Sequence, residues 1–379
     1  MRSLSRVILL LSFCVIVITG CKKPYAPPAI QVDYKFLVID GILVSSIDSP
    51  SVFTLSRTVR LTDSTTASSP EPGARVSVEG NNGEIFNFTE QPGGMYKADH
   101  ILLNSAITYR LKITTASGDQ YLSDYVDVKQ APSIDSITWQ QQNDVYIYVN
   151  SHDPLNNTKY YKWDFVETWQ YRSPLEAALS QNNGVLFYVD STNQTYNCWN
   201  SHNSNEILVG SSVALTEDVI NKAPVTIIAQ NTEKISVRYS ILVKQYALTD
   251  QAYQYLQVLK KNTENLGSIF DAQPTQLTGN IYCVNKPSEI AIGFFSASSV
   301  QQKRMFISKT EVTDWNYDYQ GRSCDIFTIP HGPPLLVYDY PDPEYAPYYF
   351  SGSTSLVIAR KVCVDCRLEG GINKKPAFW

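Results

Sequence analysis

Short runs of alternating apolar and polar residues, each closed by turn chemistry, recur from residue 36 onward and dictate a β protein. Phe36-Leu37-Val38-Ile39-Asp40-Gly41-Ile42-Leu43-Val44 opens the series, and residues 52–59 follow, rich in β-branched side chains. Ala74-Arg75-Val76-Ser77-Val78-Glu79 keeps period two without a break. Asn81-Asn82-Gly83 supplies the turn, and Ile85-Phe86-Asn87-Phe88 answers as a hairpin partner. Residues 108–114 and 120–123 continue the pattern across Ser117-Gly118-Asp119. About seven strands with turns roughly every 8 to 12 residues predict an N-terminal β-sandwich of immunoglobulin or transthyretin type over 35–128.

Gln130-Ala131-Pro132 interrupts the pattern and predicts a boundary, with a larger β-rich domain over 132–379. Strands are expected at 134–139 and 145–149, then a long aromatic strand over 160–169. Ser173-Pro174-Leu175-Glu176 has capping-box spacing with proline at the first helical position, which predicts a short helix through Leu179. One amphipathic helix is expected near 249–265. Thr249 caps it, Asp250 suits its positive end, and Ala252, Tyr255, Leu256 and Leu259 share a face. Strands return at 279–284, 289–296, 304–309, 335–338 and 355–359. The expected class is therefore mainly β: a sandwich followed by a β-rich domain carrying one clear helix.

The start of the chain reads differently. Arg2 and Arg6 flank a basic start, and residues 7–18 form an apolar run of about a dozen residues, where a spanning helix needs roughly 20. This is the pattern of a secretory signal over 1–20. Ile18-Thr19-Gly20-Cys21 resembles a bacterial lipobox, which makes Cys21 the lipidation site; several acyl chains on one residue anchor a protein without a spanning helix. Residues 21–34 hold Pro24, Pro27 and Pro28 and read as a tether. Removing the signal takes away two arginines and no acid, leaving 29 Lys and Arg against 36 Asp and Glu, a formal charge of −7. That mild acidity argues against nucleic acid as a partner.

Beyond Cys14 and Cys21 the chain has Cys198, Cys283, Cys324, Cys363 and Cys366. In an exported protein disulfides are the default, and an odd set leaves one thiol over. Cys198, Cys324, Cys363 and Cys366 are the bridge candidates, and Cys283, in a β-branched and aromatic strand, is the expected free thiol. The pairing is open. Zinc at Cys363-x-x-Cys366 would want a second pair at similar spacing, which is missing, so no metal or cofactor is expected. His100, His152, His202 and His331 accompany no Gly-x-Ser-x-Gly elbow and no His-Glu-x-x-His, so a non-enzymatic role is expected. Residues 330–350 read as a proline-stiffened loop. Its Tyr338, Tyr340, Tyr345, Tyr348 and Tyr349 offer flat amphipathic faces to a protein, peptide or glycan.

Several short stretches, in order, resemble one family. They are Leu37-Val38-Ile39-Asp40-Gly41, Gly73-Ala74-Arg75-Val76, Gly94-Met95-Tyr96, Glu167-Thr168-Trp169 and Cys198-Trp199. Gly279-Asn280-Ile281-Tyr282, Gly293-Phe294-Phe295-Ser296, Lys303-Arg304, Cys363-Val364-Asp365-Cys366, Gly370-Gly371 and Lys375-Pro376-Ala377-Phe378-Trp379 continue the match. The chain is thus similar to the Bacteroidetes-type lipoproteins grouped as the domain of unknown function 4249 family. The resemblance implies an outer-membrane lipoprotein that is an accessory of a TonB-dependent receptor in nutrient uptake, and it carries over no catalytic residue. Independent carbohydrate binding or adhesion is the alternative. Lys22-Lys23-Pro24 follow the cysteine where surface-exported relatives carry acids, so the face of the membrane stays open.

Overall fold

The computed structural model describes residues 35–59, 69–264, 279–319, 323–332 and 343–379. The expected strand at 335–338, the signal, Cys21 and the tether lie outside these residues. The rest is mainly β, with one long helix.

The first core forms between two sheets. In one, the opening strand Leu37–Ser45 pairs antiparallel with Ser51–Arg57 (Ile39 opposite Leu55), which in turn pairs with Met95–Ala98. In the other, Arg75–Gly80, Thr108–Thr114 and Gln120–Ser123 run antiparallel, with Ile85–Asn87 hairpinned onto the first. Alternation sends Leu37, Phe53, Leu55, Val76, Val78, Tyr109 and Leu111 into one buried cluster. Five residues of that cluster come from far along the chain: Ile281, Cys283, Ala291, Phe295 and Ala297. Ile281–Cys283 adds to the edge of Gln120–Ser123, and Ala291–Ile292 runs parallel to Leu37 and Val38. The sandwich read over 35–128 is thus completed by residues beyond the expected boundary.

The second core is organised by the long strand Tyr160–Arg172, which lies between Arg238–Ala247 on one side and Asn197–Asn203 with Leu208–Ser211 on the other. Ala297–Ser308 extends this sheet beyond Arg238–Ala247. A three-stranded sheet, Ile134–Gln141, Val145–His152 and Val219–Ile228, contributes to the same core. Val145, Ile147, Trp163, Phe165, Tyr239, Ile241 and Trp315 are its buried centre. Ala297–Ser308 also pairs with the first core, its start running parallel to Leu43–Ser45 and to Val128–Lys129. Residues Phe36–Trp379 accordingly make one unit.

A smaller sheet, Ile326–Pro330, Ser355–Arg360 and Tyr345–Phe350, shares a core of Leu179, Leu186, Leu356 and Ile358 with the hairpin Leu179–Asn182/Val185–Tyr188. Cys198 bonds Cys366, and Cys324 bonds Cys363, so the two cysteines of Cys363-Val364-Asp365-Cys366 reach different partners. Cys283 is a buried free thiol.

The helix spans Asp250–Glu264. Thr249 caps it, its Oγ1 accepting the Ala252 amide at 3.2 Å. The helix expected from Ser173 is absent. Leu175 donates its amide to the Cys363 carbonyl and Ala178 to that of Tyr348, so tertiary partners take the donors that a first helical turn would leave open.

Candidate functional site

Alternation in the long strand has a second consequence. Tyr161, Trp163 and Phe165 face the second core, so Lys162, Asp164 and Val166 face the other way. Lys244 and Tyr246 do the same on Arg238–Ala247. In the opening strand Leu37, Ile39 and Leu43 enter the first core, and Val38, Asp40, Ile42 and Val44 turn outward. These two outward faces bound a crevice of about 500 Å³ between the cores, and Ala252, Tyr255, Leu256 and Leu259 of the helix close its side at the i, i+3, i+4, i+7 spacing. Ile292 and Phe294 complete the first wall.

Gly41 is required in that wall. Its φ is +147°, and a Cβ there would lie 2.4 Å from the Val52 carbonyl oxygen. Tyr246, Leu248, Ala252, Ile42 and Val44 are buried together, while Leu256, Phe294, Tyr253 and Val300 around them are only partly covered. Of these, Leu256 and Phe294 line the crevice, so the apolar cluster beneath the helix is open there.

The charges are few and specific. Lys162 Nζ donates to both Asp164 oxygens, at 2.6 and 2.7 Å, and lies over the Tyr246 ring at 5.2 Å. Burial, and after it Asp164, raise the Tyr246 hydroxyl well above its ordinary pKa. Burial and then the charge of Asp40 push Tyr255 up to about 12. The side chains of Lys244 and Asp40 make no ion pair or hydrogen bond among the described residues. A crevice of this size, with apolar side chains and a few fixed polar groups in its lining, has the form of a small-ligand site.

A second, more open groove of about 1230 Å³ lies along residues 176–178, 189–199 and 373–375. Gln194 Nε2 ties its sides together, donating to the carbonyls of Asn197 at 2.8 Å and Asn373 at 3.0 Å. Tyr196 sits under the Arg172 guanidinium at 5.4 Å. Trp199 is 7 % exposed, and its Nε1 has no partner among the described residues.

The tyrosines read as one binding loop are split. Tyr338 and Tyr340 lie outside the described residues. Tyr345, Tyr348 and Tyr349 are on a strand, not a loop, because Tyr345–Phe350 pairs with Ser355–Arg360. Tyr345 packs on Phe327 with centroids 5.4 Å apart, Tyr348 leans on the cluster of Ala177, Ala359 and Val364, and Tyr349 is 37 % exposed. His152 pairs with Asp135 at 2.7 Å. Glu167 is buried, taking Lys234 Nζ at 2.6 Å and the Tyr239 hydroxyl at 3.1 Å, with His202 at 3.7 Å. That cluster fastens the turn Glu233–Ile235 to the sheet. The crevice was not anticipated from the sequence, although Lys162 and Asp164 inside an aromatic strand mark a face that cannot be core.

No curated protein matches the chain. A family model described as Domain of unknown function (DUF4249) matches residues 22–304. That span holds both crevice walls and the helix between them, and the chain belongs to the DUF4249 family.

Proposed function

We propose that this protein is a lipid-anchored outer-membrane lipoprotein that acts without catalysis as an accessory of TonB-dependent nutrient uptake, holding cargo for the receptor beside it. The observation that carries this reading is Ile18-Thr19-Gly20-Cys21 directly after a short apolar run. No helix among the described residues is long and apolar enough to cross a membrane, so attachment by acyl chains on Cys21 is the route the sequence offers. The anchor confines the body to two dimensions beside its partner and raises effective concentration without a strong interface. The crevice between the cores supplies a place for cargo.

Two measurements test it. Cys21→Ser abolishes incorporation of labelled fatty acid and releases the protein from the membrane fraction. A gentle-detergent pull-down of the full-length protein brings down a TonB-dependent barrel in near-equal amount. Recovery of the lipoprotein alone in more than one detergent favours the second reading, independent carbohydrate binding in the second groove. Tyr196 and the Asn and Gln side chains there suit hydroxyl-rich ligands, and retention on a glycan array is its signature.

A further inference from the structure

Four charged side chains line the crevice: Asp40, Lys162, Asp164 and Lys244. Lys162 and Asp164 neutralise each other at 2.6 Å. Lys244 stands across the ladder from Asp164 without an ion pair to it, so the wall of the second core carries one net positive charge, and the wall of the first carries one anion, Asp40. Ile42, Phe294, Tyr255 and Leu256 form much of the remaining lining, and Asn203, Ser204 and Ser296 add uncharged polar groups. A ligand that satisfies all of this carries one negative and one positive group with an apolar body between. A multiply charged ligand would leave charge unpaired against apolar walls, which is costly. A bare acyl chain would meet Lys244 and gain nothing from Asp40.

We propose that the crevice binds a short peptide with apolar side chains and free ends, its carboxylate toward Lys244 and its ammonium toward Asp40. The inference rests on the cargo-binding reading and names its substrate class. The space of about 500 Å³ lies within the range of roughly 300–1,000 Å³ of small-ligand sites, too small for a folded partner. The partly covered Phe294 ring and Leu256 side chain, both in the crevice lining, are then the surface that ligand side chains cover.

The test is calorimetry on detergent-solubilised full-length protein with Leu-Leu and Leu-Leu-Leu in four forms: free, N-acetylated, C-amidated and doubly blocked. Free peptides bind, and each single block weakens binding by about tenfold. Lys244→Gln weakens the free and N-acetyl forms and leaves the C-amide unchanged. Asp40→Asn does the reverse. Leu256→Trp, which fills the crevice, abolishes binding of every form, with circular dichroism confirming each variant's fold. Failure of all four forms to bind overturns the proposal, as do equal affinities for free and doubly blocked peptide, or dodecanoate binding more tightly than any peptide. A pull-down that still yields the barrel while no peptide binds refutes the ligand class alone. Peptide binding without a barrel refutes the accessory role and leaves the site standing.

Discussion

Glu79 shows how a single side chain ties the first core to pH. Its carboxylate bridges two residues of the neighbouring strand, accepting from Arg110 Nη2 at 2.7 Å and Lys112 Nζ at 2.8 Å. The Lys112 bond first, and Arg110 with it, hold the Glu79 carboxyl below its ordinary value against the opposing effect of burial. A carboxyl with a depressed folded-state pKa stabilises the fold fully above the ordinary carboxylate range and loses that contribution as pH falls through the folded value. Glu79→Gln is therefore expected to cost about 1–2 kcal/mol at neutral pH, a charged hydrogen bond discounted for partly exposed partners. In urea titrations the gap between wild type and variant should close in acid; a constant gap would mean that the charge is irrelevant. Gly41 is the backbone counterpart. Gly41→Ala forces a Cβ against the Val52 carbonyl at positive φ and should lower stability by about 1–3 kcal/mol. A thermal melt at wild-type temperature would show that the strand can shift.

Among the elements, the Cys198–Cys366 bond matters most to the end of the chain. It spans 168 residues, against 39 for Cys324–Cys363, and it sits beside the backbone pair of Trp199 with Ile372. Replacing both cysteines of either pair by serine should cost about 2–5 kcal/mol, the larger share falling on the longer loop. Limited proteolysis should also release the segment after Asp365 only in the Cys198→Ser/Cys366→Ser variant. Equal resistance in both variants would assign the hold to packing. The helix at Asp250–Glu264 was legible because its cap and apolar spacing are local. The supposed helix at Ser173 was misread for the opposite reason: Cys363 and Tyr348, which bind its amides, are far away in sequence. The strands of the first core and Tyr160–Arg172 were likewise readable from period two, but Val219–Ile228 and Arg238–Ala247 were not, and the split of the tyrosines depended on which residues Ser355–Arg360 would pair with. The crevice was hidden for the same cause. Its walls meet only because Leu43–Ser45 runs parallel to Ala297–Ser299, and no local pattern encodes a parallel pairing across that distance.

At the scale of the molecule the question is whether the two cores are independent. The chain suggests that they are, with a break at Gln130-Ala131-Pro132. The contacts say otherwise. Ile281 and Phe295 are buried in the first core, and burial of two such side chains is worth about 3–6 kcal/mol. A whole domain holds only about 5–15 kcal/mol. A fragment of residues 35–130 would lose that burial and would also bare the edges of Gln120–Ser123 and Leu37–Ser45, where Ile281–Cys283 and Ala291–Ile292 now pair. It should show no cooperative urea transition. The same fragment joined by a flexible linker to residues 279–299 should regain one. The chain from residue 36 onward should unfold in a single transition, because Ala297–Ser308 belongs to both cores and cannot leave one while holding the other. A cooperative transition of 35–130 alone, at a midpoint near that of the whole protein, would make the cores separable. The crevice would then be a joint free to open, and ligand binding would raise the midpoint of neither half.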